Sequence, residues 1–132
     1  MGLDMYLRIE NTRDPGASDE EIARWRKHGD LNAWFERLWI KKYKPEVTSH
    51  TVKFGDDEYL ISAFNMEKVY LDLDDLQQLF DDLLDGNLPS SNGPFHTNGF
   101  CNEDRLREDI DAISRACVEV ALGERVYYMC WW

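Results

Sequence analysis

The stretch VYYMCWW, residues 126–132, is almost wholly apolar in a chain whose formal net charge is −11. A loose segment of this composition would expose aromatic surface, so we expect it to be packed into the fold or covered by a partner. Its alternation predicts a β-strand with Trp132 at the edge. One face of this strand would carry Val126, Tyr128 and Cys130, and the other face Tyr127, Met129 and Trp131. Deletion of the last four residues is therefore expected to unfold the domain.

The segment LDMYLRI, residues 3–9, is the expected pairing partner of that strand. Its apolar residues occupy every second position, which is the period of a half-buried strand. The apolar face would carry Leu3, Met5, Leu7 and Ile9. We predict that the two segments pair at the centre of one sheet.

Helical and strand patterns follow one another along the rest of the chain. Ser18 and Glu21 have the spacing of a capping box, which predicts a helix from residue 18 to Lys44, with a bend or a break at Gly29. Further strands are predicted at residues 47–54, 58–64 and 68–71, and further helices over residues 72–85 and from Asn102 to Gly123. The apolar stripe of the helix over residues 72–85 would carry Leu73, Leu76, Leu79, Phe80, Leu83 and Leu84.

These elements predict one α+β domain over residues 1–132. We expect a small, mainly antiparallel sheet of about four to five strands, which includes the N- and C-terminal strands, packed with about three helices. The three cysteines form no CxxC pair, which indicates a reducing compartment. No apolar run reaches the roughly 18 residues that a membrane span needs. We therefore expect a cytoplasmic protein without membrane association.

Negative charge is concentrated in the second half of the chain. Residues 1–53 contain 10 Lys and Arg against 9 Asp and Glu, whereas residues 54–132 contain 5 against 17. A field of this sign repels phosphate and attracts basic proteins, so we expect no direct nucleic-acid binding and a partner protein with a basic surface. The expected partner-binding residues are Asp74, Asp75, Asp81, Asp82 and Asp85. The alternative is that these carboxylates only keep the domain in solution.

The common signatures of catalysis are missing. The sequence contains no GxGxxG, P-loop, GxSxG or HExxH motif, so nucleotide enzymes, serine hydrolases and zinc proteases are disfavoured. We predict no catalytic residue, no cofactor and no metal site, because His96 and Cys101 are too few for the four ligands of structural zinc. A small-ligand site remains an alternative, in which Arg26 and Lys27 hold an anion and His96 of the loop LPSSNGPFHTNGF transfers a proton.

Four stretches occur in a characteristic order: MGLDMYL at residues 1–7, RWRKHGDLNAWF at 24–35, LPSSNGPF at 88–95 and YYMCWW at 127–132. Over most of its length the chain thereby resembles a group of small, uncharacterised bacteriophage and prophage proteins that begin with MGLDMYL and end in a Tyr-Tyr-x-x-x-Trp strand. The matching residues are Trp25, Arg26, Lys27, Trp34, Phe35, Leu88, Pro89, Gly93, Phe95, Tyr127, Tyr128 and Trp132. The resemblance implies an origin in a mobile element, with no established activity and no catalytic residues to carry over.

Charge and resemblance together give two hypotheses. The first is a phage-derived inhibitor whose acidic surface covers a basic site on a host nucleic-acid-binding or defence protein, such as a CRISPR complex, by charge mimicry. The second is a small-ligand-binding protein or enzyme with an anion pocket between the RWRK segment and the LPSSNGPFHTNGF loop. The oligomeric state is left open by the sequence.

Overall fold

The strands nearest the two ends of the described chain pair with each other in one sheet. A computed structural model describes residues 3–88 and 103–131. The elements are β1 Asp4–Ile9, β2 Glu20–Arg26, α1 Gly29–Tyr43, β3 Ser49–Phe54, β4 Asp57–Ser62, β5 Val69–Leu71, α2 Leu73–Asp85, α3 Glu103–Ala121 and β6 Val126–Trp131. Within these residues the predicted α+β class is confirmed, with three helices, a four-stranded antiparallel sheet and a separate two-stranded sheet.

The four-stranded sheet has β1 and β6 as its central strands. Its order is β2-β1-β6-β5, and each neighbouring pair is antiparallel. β1 and β6 pair from Asp4 opposite Trp131 to Ile9 opposite Val126, which confirms the predicted pairing. Trp132, predicted at the strand edge, lies outside the described residues.

One face of this sheet carries the core. The residues predicted for the inner faces of β1 and β6 are all buried, namely Leu3, Met5, Leu7, Ile9, Val126, Tyr128 and Cys130. α1 covers this face, and the ring of Phe35 stacks on that of Tyr128 with 3.8 Å between the centroids. On the opposite face Tyr127 is also buried, at 1% exposure, whereas Met129 is half-buried and Trp131 is exposed. The register against β1 agrees with the predicted faces, since Tyr128 and Cys130 lie opposite Leu7 and Met5, whereas Tyr127 and Met129 lie opposite Arg8 and Tyr6.

The helix predicted from residue 18 to Lys44 is wrong in its first half. Residues Glu20–Arg26 form β2, which pairs with β1, and α1 begins only at Gly29. The chain turns between the two elements at Lys27, which has a φ of 58°. The predicted break at Gly29 is thus the start of the helix, and the RWRK segment is the end of a strand.

The physical reason lies in the pairing of β2 with β1. Trp25 lies opposite Met5 and is buried on the core face, whereas Arg24 lies opposite Tyr6 on the other face. The spacing of three between Ile22 and Trp25 fits a helical period, whereas a regular strand would place the two side chains on opposite faces. The structure accommodates this spacing by a register shift against β1 between Leu7 and Arg8, where Ile22 has no paired residue. The hydrogen bonds to β1 and the burial of the Trp25 indole beside Met5 favour the strand.

The remaining predicted elements are confirmed with small shifts of their ends. β3 and β4 form the hairpin, whose turn contains Gly55 at a φ of 65°. The stripe of α2 is narrower than predicted: Leu76, Leu79 and Leu83 are buried, but Leu73 and Leu84 are exposed. Asn102, the predicted first cap of the last helix, lies outside the described residues.

Candidate functional site

Helix α2 is defined at both ends by local sequence. The Asp72 side chain accepts a hydrogen bond from the Asp75 backbone N–H, and the Asp75 side chain accepts one from the Asp72 N–H, which completes a capping box. Gly86 ends the helix in the left-handed conformation with a φ of 70°. No Lys or Arg occurs between residues 72 and 88. The helix and its N-cap therefore contain six aspartates and no Lys or Arg.

The five aspartates predicted to bind a partner divide into two groups. Asp74, Asp81 and Asp85 are exposed. Asp75 and Asp82 are half-buried and point towards α1: Asp82 Oδ2 accepts a hydrogen bond from Trp34 Nε1 at 2.8 Å, and Asp75 Oδ2 lies 2.6 Å from Lys42 Nζ. The structure therefore leaves three of the five carboxylates available to another molecule.

Two leucines share the exposed side of α2 with these carboxylates. Leu73 and Leu84 are 46% and 55% exposed and lie eleven residues apart, which places them on one line along the helix. Gln77 lies between them, and its Nε2 donates to Asp81 Oδ1 at 3.1 Å. We call this surface the acidic face; its residues are Leu73, Asp74, Gln77, Asp81, Leu84 and Asp85. It combines exposed carboxylates with two leucine side chains that lie outside the buried stripe of α2.

A groove separates α2 from α1. The contacts of Trp34 with Asp82 and of Lys42 with Asp75 show that the two helices run antiparallel and are bridged at two levels. Between and around these bridges lies a cleft of about 450 Å³. We call it the α1–α2 groove; it is lined by Trp34, Arg37, Leu38, Lys41, Asp74, Asp75, Gln78, Asp82 and Asn87.

The residues predicted to bind a small ligand lie away from the α1–α2 groove or outside the described residues. Arg26 and Lys27 are exposed at the end of β2, and the Lys27 backbone N–H donates to the Leu3 carbonyl at 2.8 Å. His96 lies outside the described residues, as does Cys101. The helical support expected for Arg26 and Lys27 is absent, because this segment is a strand and a turn.

A buried polar cluster was not predicted from the sequence. Asp109 of α3 accepts hydrogen bonds from Trp25 Nε1 at 2.6 Å through Oδ1, and its Oδ2 lies 2.8 Å from His28 Nε2. The His28 and Asp109 side chains are only 9% and 3% exposed. The available signal was the position of Asp109, which falls on the apolar stripe between Leu106 and Ile113. A carboxylate on such a stripe needs buried donors, and here they join β2, α1 and α3.

The described residues contain neither a cluster of metal-binding side chains nor a helix that could span a membrane. No group of three or more His, Cys, Asp or Glu side chains in residues 3–88 and 103–131 is arranged to hold a metal ion. No helix in this part of the chain is long and apolar enough to cross a membrane.

Comparison of the chain with protein-family models, with curated proteins and with solved structures gives no match. The resemblance to bacteriophage proteins therefore stays a prediction.

Proposed function

We propose that this chain is an acidic binding protein that covers a basic site on another protein with the acidic face of α2. The observation that carries the proposal is the presence of three exposed carboxylates beside two exposed leucines on a helix without cations. Complementary charge steers association and suppresses wrong partners, while apolar area supplies contact free energy. A surface that served only solubility would not require the leucines.

The proposal includes the origin and the target expected from the sequence. We propose a phage-derived inhibitor that acts in the host cytoplasm on a nucleic-acid-binding or defence protein, such as a CRISPR complex. The aligned carboxylates would occupy a basic site that otherwise holds phosphates. Direct nucleic-acid binding by the acidic face is disfavoured by the same charges.

A pull-down from bacterial lysate with matched double variants tests this proposal. The variant D81N/D85N removes two charges from the acidic face, and the control D56N/D57N removes two from the exposed β3–β4 turn. We expect the wild-type protein and the control to retain a basic protein at low salt and to release it at high salt, because exposed charge pairs are screened. The D81N/D85N variant should retain at least tenfold less, with an unchanged melting temperature.

Two results would contradict the proposal. Equal loss in both double variants would assign the binding to net charge alone and not to α2. Retention that does not depend on salt, or no basic protein retained at all, would remove charge mimicry as the mechanism.

A further inference from the structure

Two contacts between the helices cross the α1–α2 groove. Trp34 and Lys42 are eight residues apart on α1, and their partners Asp82 and Asp75 are seven apart on α2. At 1.5 Å per residue these contacts lie about 11 Å apart along the helices. The two contacts therefore fix α1 and α2 relative to each other along the groove.

The floor of the groove is held in place by packing. Trp34 is 9% exposed, its ring meets Phe35 edge-on at 5.2 Å between centroids, and its Nε1 is fixed by Asp82. Leu38 is half-buried beside it and packs on the core. A cleft of about 450 Å³ with an apolar floor and polar walls falls in the size range of small-molecule sites.

The two walls carry opposite charges that do not neutralise each other fully. Arg37 and Lys41 lie one turn apart on the α1 wall, are exposed, and form no ion pair with any residue in the described ranges. The α2 wall carries the carboxylates of Asp74, Asp75 and Asp82. Lys42 and Trp34 hold two of these carboxylates in position, whereas Asp74 has no ion-pair partner among the residues described.

A ligand of one charge is attracted by one wall and repelled by the other. A ligand with both charges is attracted by both, and like-charge contacts with wrong ligands are a common source of selectivity. We propose that the α1–α2 groove binds a small zwitterion, such as an amino acid, with its anionic group between Arg37 and Lys41 and its ammonium group at the α2 carboxylates.

This site does not depend on the proposed function. Arg37 and Lys41 lie on α1 and are not part of the acidic face, so partner binding and zwitterion binding can fail separately. The two surfaces share only Asp74, which is left unchanged in the variants that follow.

Titration of the purified full chain with a series of zwitterions tests the proposal. The probes are α-amino acids and ω-amino acids from glycine to 6-aminohexanoate, and the matched single-charge probes are acetate and ethylammonium. Amide chemical shifts report both affinity and location. We expect at least one zwitterion to bind in the millimolar range or tighter and to shift residues of the groove, while acetate and ethylammonium bind at least tenfold more weakly.

Variants of the α1 wall complete the test. K41M and R37M each remove one cation with similar side-chain length and should weaken zwitterion binding roughly tenfold. The control K53M removes an exposed cation from the hairpin and should leave it unchanged. The proposal is overturned if no zwitterion shifts the groove at about 10 mM, if acetate binds as well, or if K41M and R37M behave like K53M.

Discussion

Tyr127 and Tyr128 are neighbours in β6 and are both almost fully buried, at 1% and 0% exposure, but they lie on opposite faces of the sheet. Tyr128 lies under α1, where it stacks on Phe35 and donates its hydroxyl hydrogen to Asn32 Oδ1. Tyr127 lies on the opposite face, on which no helix of the described residues packs and which we call the uncovered face. There Lys68 Nζ sits 4.7 Å from its ring centroid, and its hydroxyl donates to Asp19 Oδ2. Two identical side chains are thus shielded from water in two different ways.

The uncovered face repeats the arrangement around Tyr127. The Arg8 guanidinium lies 4.3 Å from the Tyr6 ring centroid, and the Arg125 guanidinium lies 4.6 Å from that of Tyr70. Each exposed contact of this kind is worth about 0.5–1 kcal/mol. Each contact also places a charged group over a tyrosine ring. A sheet face without a covering helix layer can therefore carry tyrosines and stay compatible with water.

The prediction with the largest expected effect tests whether the last residues of β6 are required for the four-stranded sheet to fold. Deletion of residues 129–132 removes the pairing of β6 with the first half of β1 and takes Cys130, which is fully buried, out of the core. We expect the cooperative unfolding transition to be lost, as measured by circular dichroism during heating. The control W131A changes a residue that is 54% exposed and should melt near the wild type. An unchanged melting temperature of the truncated protein would show that these residues are not needed for the stability of the sheet.

The alternation of β1 and β6 was predictable because a two-residue period specifies the face of every side chain once one face is buried. β2 was not, because the spacing of Ile22 and Trp25 fits a helix, and β2 accommodates it only through a register shift against β1. Its strand form depends on pairing with β1, which is a contact distant in sequence. Local pattern was sufficient where the period was unambiguous and failed where a neighbour decided it.

The candidate site shows the same limit. The acidity of α2 and its two ends follow from the residues between Asp72 and Gly86. The same residues do not predict which carboxylates remain exposed, because Trp34 and Lys42 of α1 bind two of them, Asp82 and Asp75. The α1–α2 groove depends on the same non-local placement, so no pattern within either helix alone indicates it.

The second prediction concerns the covered face. Asn32 is fully buried, and its Nδ2 has no hydrogen-bond partner in the described part of the chain. The variant Y128F would leave its Oδ1 without the tyrosine hydroxyl as well. An unsatisfied buried acceptor costs about 1–3 kcal/mol, so urea denaturation at neutral pH should show a loss of that size. A smaller loss of stability in Y128F than in Y127F would mean that the covered face tolerates unpaired polar groups better than the uncovered face.

The third and smallest expected effect is a pH-dependent change in stability that arises on the uncovered face. Burial, followed by the hydrogen bond to Asp19, raises the pKa of Tyr127 from 10.0 to about 12. The folded state therefore favours the neutral hydroxyl, and this stability is fully present below pH 10 and is lost as the pH rises from 10 to 12. The slope is at most about 1.4 kcal/mol per pH unit.

The variant Y127F isolates this contribution. It lacks the hydroxyl and should lose less stability than the wild type between pH 10 and 12, by about 1 kcal/mol at pH 11. Urea denaturation across that range measures the difference. Tyr128 also has a raised pKa because it is fully buried, but it is present in both proteins and cancels. Parallel pH profiles would contradict the account, since they would mean that burial and the hydrogen bond to Asp19 do not raise the pKa of Tyr127 in the folded protein.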